Sequence, residues 1–132
     1  MSTILVVDDE TMVRATLRHC LEQAGHAVSE AGSGLVAFDL LRQQPFDLVL
    51  IDIFMPYADG VETILGIRRE GYRVPIIAMS GGGDRMNMDF LRMVKNLGAD
   101  ETLQKPFRHI ELLSLVERFA QCPALRWTNG AS

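Results

Sequence analysis

The chain has 132 residues, of which 48% are hydrophobic and 23% charged, and its net charge is −4. That length suits a single domain, and so large an apolar share excludes a disordered chain. The mild acidity, with a pI of about 5.3, argues against a nucleic-acid binder, and no apolar run approaches the roughly 18–20 residues of a membrane span.

The start, MSTILVVDDE, has no basic region, and its apolar run stops at two aspartates, so it does not read as a signal peptide. Cys20 and Cys122 lie far apart and suggest no disulfide framework, which fits a reducing, cytoplasmic setting. Neither an internal repeat nor a low-complexity tract is visible.

In chain order, the first element is an apolar run, Thr3–Val7, expected to be a strand. A helix follows, with Val13, Leu17, Cys20, Leu21 and Ala24 spaced to share one face. Ala27–Glu30 reads as a second and weaker strand, expected at an edge. Leu48–Ile51 and Val74–Met79 are nearly continuous Val/Ile/Leu, as in parallel strands buried on both faces. Met86, Phe90, Met93, Val94 and Leu97 make the inward stripe of a fourth helix, and Met88 and Leu91 fall off that stripe. A fifth strand spans Glu101–Leu103, and Arg108 to Ala120 reads as a last helix with Leu113, Val116 and Ala120 inward. Gly25, Gly71 and Gly98 each follow a helical segment, where a left-handed cap is wanted. The alternation βαβαβαβαβα predicts an α/β fold, a parallel sheet with helices on both faces. Residues 1–120 form this domain, and 121–132 read as a frayed C-terminal tail.

Open α/β sheets bind ligands at the carboxyl ends of their strands. Asp8 and Asp9 follow strand 1, with Glu10 next; strand 3 delivers Asp52, strand 4 Ser80, and Lys105 comes just past strand 5. Strand order decides whether these residues meet, and the flavodoxin-like order 2-1-3-4-5 would bring them together. Three carboxylates in one pocket repel unless a cation neutralises them. An all-oxygen set without Cys or His suits Mg²⁺, which commonly completes its shell with phosphate oxygens. An aspartate can itself be the nucleophile toward phosphorus, with an ammonium and a hydroxyl meeting the charged oxygens. Taken singly, Asp9 or Asp52 could equally begin a loop or cap a helix.

The segments ILVVDDE (4–10), DLVLIDIFMPYADG (47–60), PIIAMS (75–80) and KPF (105–107) resemble the receiver domains of two-component response regulators. The resemblance covers about residues 2–120. It implies a flavodoxin-like (βα)5 doubly wound sheet, with Asp52 the phosphoacceptor, Asp9 a direct Mg²⁺ ligand and Asp8 a ligand through water. The backbone carbonyl of Phe54 completes the protein ligands. Ser80 follows the phosphoryl group on activation, Lys105 pairs with it, and the Lys105–Pro106 bond is cis. The chain departs from the family pattern at Thr102, where an aromatic switch residue is common, and carries Phe54 and Gly82 at two positions that tune attacking water and partner access.

The function expected on these grounds is that of a stand-alone receiver in the cytoplasm, a monomer or weak dimer. Its phosphoryl donor is a histidine kinase or a histidine phosphotransfer protein, and its output is a protein contact or onward phosphotransfer. It modifies itself and is not a turnover enzyme. A Mg²⁺-dependent aspartyl phosphatase would want a second carboxylate where Phe54 stands. A flavin protein of this topology would not place two aspartates at the FMN phosphate. The remaining alternatives are a phosphorylation-independent interaction module and a receiver cut from a larger regulator. Ser80-Gly81-Gly82-Gly83 lacks a phosphate-loop frame and reads first as a flexible loop between strand 4 and helix 4, with ordering by phosphorylation as the alternative. His19, His26 and His109 show no metal-ligand spacing.

Overall fold

In the computed structural model, residues 2–55, 60–80 and 88–120 are described. Five strands, β1 (Thr3–Val7), β2 (Ala27–Ala31), β3 (Leu48–Asp52), β4 (Ile76–Ser80) and β5 (Glu101–Gln104), form one parallel sheet in the order 2-1-3-4-5. Helices α1 (Thr11–Gln23), α2 (Gly34–Gln43), α3 (Gly60–Arg69), α4 (Met88–Leu97) and α5 (His109–Ala120) alternate with them. The predicted fold and strand order are what the structure has.

Successive strand residues point to opposite faces, and here each face is covered. Ile4, Val6, Leu48, Leu50, Ile77 and Met79 pack with Leu17, Cys20 and Leu21 of α1 and with Leu112 and Val116 of α5. Leu5, Val7, Val49, Ile51, Ile76 and Ala78 pack with Ala37 and Leu41 of α2, Ile64 and Ile67 of α3 and Val94 of α4. Each fully buried Leu, Ile or Val contributes about 1.5–3 kcal/mol. That two-sided demand leaves no polar position in β1 after Thr3, nor in β3 before Asp52, so chemistry is confined to the rim.

Gly25, Gly71 and Gly98 have φ of 96°, 91° and 141°, as the expected left-handed caps require. Ser33 caps α2 by accepting the Val36 N–H at 3.3 Å.

Several details differ from expectation. β4 begins at Ile76, because Pro75 has no N–H and the Val74 carbonyl accepts from Arg68 Nη1 at 2.9 Å instead of from a strand. Ala24 is exposed, since it is the C-cap where α1 leaves the sheet. Met93 is exposed, whereas Val94 beside it is buried in the core. In α5 the buried pair is Leu112 and Val116, with Leu113 only partly covered. The triple-glycine segment 81–83, Met86, the side chains of Met88, Phe90, Leu91 and Ala120, and the tail with Cys122 lie outside the described residues.

Candidate functional site

The parallel register builds the site. Val7 pairs with Ile51, so Asp8 and Asp52, one residue further on, emerge side by side from neighbouring strands about 4.8 Å apart. Ser80 pairs with Gln104, which puts Lys105 one step beyond the rim. The Lys105 N–H donates to the Ser80 carbonyl at 2.6 Å, tying that step to β4. The Lys105–Pro106 peptide is cis, as the family resemblance implies.

Asp8, Asp9 and Asp52 gather so that one carboxylate oxygen of each lies within 4.8 Å of the others, the only such group of potential metal ligands among the described residues. Asp8 and Asp52 are buried, and Asp9 is exposed. Asp8 Oδ1 accepts the Glu10 N–H at 2.9 Å, and its Oδ2 faces Lys105 Nζ at 3.2 Å. Asp52 Oδ1 accepts the Phe54 N–H at 2.9 Å, and its Oδ2 stands 3.5 Å from the same Nζ.

One ammonium therefore serves two buried carboxylates. Burial pushes the Asp52 carboxyl above its ordinary range, and the Asp8 charge adds to this, against the pull of the Phe54 N–H and Lys105. Burial alone would depress Lys105, but the two aspartates hold its pKa above the usual lysine value. At neutral pH the rim thus keeps Lys105 charged.

The chain returns from this rim into α3 through Gly60, whose N–H donates to the Ile53 carbonyl at 3.3 Å. A Cβ on Gly60 would run into the Asp52 carbonyl and the Ile53 backbone. The glycine that closes the segment DLVLIDIFMPYADG (47–60) is thereby explained by close approach of two backbone segments. Ser80 ends β4 wholly buried, and its Oγ has no hydrogen-bond partner among the described residues.

Thr102 lies three residues back along β5, about 10 Å below the rim, paired with Ala78. Glu10 is exposed at the N-cap of α1 and has no side-chain capping bond. Glu30 is taken up by Arg14 and Arg18 at 3.1 Å each. Phe54 is half-exposed beside Asp52. His19 and His109 line one small cavity between α1 and α5 with Cys20, which holds no close metal-ligand group among the described residues. A larger apolar groove of about 660 Å³, lined by Met12, Val13, Phe107 and His109, opens beside Lys105. Gly82 lies outside the described residues.

Sequence reasoning missed Arg14. Its Nη1 donates to the Asp8 carbonyl at 2.6 Å. No sequence signal separates it from Arg18, one turn further along the same helix.

This constellation is matched by known proteins. The family model of the response regulator receiver domain covers residues 4–117. The chain belongs to that family. The receiver domain is 31% identical over 119 residues to the probable C4-dicarboxylate response regulator DctR of Priestia megaterium, a match covering 89% of this chain and 51% of that protein. It is 34% identical over 116 residues to the transcriptional regulatory protein CpxR of Escherichia coli, covering 88% and 48%. The chain thus spans about half the length of the curated relatives it matches.

Among solved structures, the Francisella response regulator 1452 receiver domain superposes with a TM-score of 0.84 at 26% identity, over 91% of this chain and 97% of that one. The Vibrio cholerae chemotaxis protein CheY4 gives 0.82 at 28% identity, over 90% and 98%. Receiver domains take phosphoryl groups from histidine kinases. Among the described residues no helix is long and apolar enough to cross a membrane.

Proposed function

We propose that this receiver domain accepts a phosphoryl group on Asp52 from the phosphohistidine of a histidine kinase or a histidine phosphotransfer protein, and passes the signal on by a protein contact or onward phosphotransfer. The observation that carries this reading is the pair Asp8–Asp52 sharing one ammonium while Ser80 Oγ stays buried without a described partner.

A buried hydroxyl left unbonded costs roughly 1–3 kcal/mol, and a phosphoryl oxygen on Asp52 supplies the missing acceptor. Three carboxylates against one ammonium leave the rim short of positive charge, which suits a hard divalent ion bound by oxygen. Asp8 and Asp9, with Asp52 and the Phe54 carbonyl, would hold Mg²⁺, which supplies charge neutralisation at the transferring group.

In the transfer, an Asp52 carboxylate oxygen attacks phosphorus and a P–O bond forms. The P–N bond to imidazole breaks, and its electron pair leaves with the ring nitrogen. Lys105 moves its pairing from the carboxylates toward the phosphoryl oxygens, and Ser80 donates its hydroxyl proton as a hydrogen bond. Water later cleaves the acyl phosphate, returning the carboxylate and inorganic phosphate. The protein is restored but no separate substrate is turned over, so the chemistry is self-modification. The apolar groove beside Lys105 offers a seat for a donor protein's apolar side chains.

Intact mass after incubation with Mg²⁺ and acetyl phosphate tests this. A single phosphoryl adduct, lost in Asp52→Asn and on chelation, is expected. No adduct, from acetyl phosphate or from a phosphorylated histidine kinase, would favour a phosphorylation-independent interaction module.

A further inference from the structure

Arg14 touches the rim without lying in it. It sits in the first turn of α1, and its side chain is only 16% exposed. Nη1 donates to the Asp8 carbonyl at 2.6 Å, and Nε pairs with Glu30 Oε1 at 3.1 Å. Arg18 Nη1 meets the other Glu30 oxygen at 3.1 Å without reaching Asp8. A Cβ on Gly32 would stand 3.2 Å from Arg14 Nη1, closer than ordinary contact, so the passage for this guanidinium depends on a glycine. One rigid fork thus joins α1, the end of β1 and the end of β2.

We propose that Arg14 is a positioning residue for the divalent-cation site, acting through the Asp8 carbonyl. The carbonyl of Asp8 and the N–H of Asp9 belong to one planar peptide unit. Fixing that oxygen fixes the plane from which Asp9 departs. Asp8 is aimed by burial, by the Glu10 N–H and by Lys105. Asp9 is exposed, so packing does little to aim it, yet its carboxylate must meet those of Asp8 and Asp52. The Asp8–Asp9 peptide is the handle by which Asp9 is held, and Arg14 grips it.

The proposal rests on the phosphoacceptor reading above, and the experiment separates the two. MgCl₂ is titrated into the full chain, and the amide shifts of Asp9, Asp52 and Phe54 give the midpoint of metal binding. Urea unfolding is followed in parallel. Arg14→Met is expected to raise the midpoint at least tenfold. Arg14→Lys, which keeps the charge but loses the fork, and Glu30→Gln fall between it and the unsubstituted protein. Arg18→Met removes an ion pair to the same Glu30 without touching Asp8, and is expected to leave the midpoint within twofold.

Phosphorylation of Arg14→Met by acetyl phosphate then slows at limiting Mg²⁺ and recovers at saturating Mg²⁺, a split that loss of stability alone would not produce. An unchanged midpoint in Arg14→Met, or an equal shift in Arg18→Met, overturns the proposal. If Arg14→Met does not fold, unchanged midpoints in Arg14→Lys and Glu30→Gln overturn it. An unsubstituted protein with no Mg²⁺ response overturns the phosphoacceptor reading and this proposal together, whereas binding with an unmoved variant overturns this proposal alone.

Discussion

The Lys105 ammonium lies closer to Asp8 than to the proposed phosphoacceptor, at 3.2 Å from Asp8 Oδ2 and 3.5 Å from Asp52 Oδ2. In metal-free protein these three groups carry one positive and two negative charges in a largely buried space, so one carboxylate is in excess.

Removing that excess should stabilise the apo protein. Asp52→Asn keeps the shape, leaves the Lys105–Asp8 pair one to one and retains an acceptor for the Phe54 N–H. A gain on the order of 1 kcal/mol is expected in urea unfolding at neutral pH with chelator present. Asp52→Asn less stable than the unsubstituted protein would show that Lys105 satisfies both carboxylates.

Gly60 should tolerate no side chain. Its missing Cβ is the space occupied by the Asp52 carbonyl and the Ile53 backbone, which cannot retreat as the tip of a flexible side chain can. Gly60→Ala is expected to cost about 2–4 kcal/mol and to slow phosphoryl acceptance by displacing Asp52. Thermal melting and the rate of adduct formation check both halves, and a melting temperature within 2 °C of the unsubstituted protein, by the usual relation of stability to Tm, would contradict the expectation.

His26 should give the fold a pH dependence of its own. Burial holds its pKa below the ordinary histidine value, against the opposing charges of Glu117 and Asp47. Its Nδ1 accepts the Ser2 N–H at 3.3 Å, which requires a neutral ring at that nitrogen. As pH falls, the unfolded chain binds the proton first, so the contribution of His26 is present above the unfolded value near 6.5 and is lost as pH falls through it toward the folded value. Unfolding free energy is therefore expected to drop between pH 7.5 and 5.5 more steeply than in His26→Asn. Parallel slopes for the two proteins would remove His26 from the account.

Much of this architecture was legible because burial on both faces leaves a plain signature. Thr3–Val7 carries no polar residue after Thr3, and its bounds as a strand are those expected. Asp8, Asp52, Ser80 and Lys105 were found because each interrupts or follows such a run at the same end. What the sequence did not disclose depends on what lies opposite a residue. Met93 and Val94 are adjacent and equally apolar, and only the position of α4 over the sheet decides that Val94 is buried. Val74 looks like strand until Pro75 is read as a missing donor. Arg14 and Arg18 differ in role because one faces the end of β1 and the other does not, a distance no spacing rule encodes.

At the opposite end of the strands Arg68 does a different job. Its Nε donates to the Gly98 carbonyl at 3.0 Å, its Nη1 to the Tyr72 and Val74 carbonyls at 2.9 Å, and its Nη2 to Asp100 Oδ2 at 3.0 Å. That same Asp100 oxygen accepts the Ile76 N–H at 2.9 Å. A single side chain thus rivets the exit of α3, the entry to β4 and the turn into β5, and all three are anchored away from the rim where the charges sit. The sheet has one clamped end and one working end, like a reed, so a change of charge at Asp52 falls at the end that Arg68 does not hold.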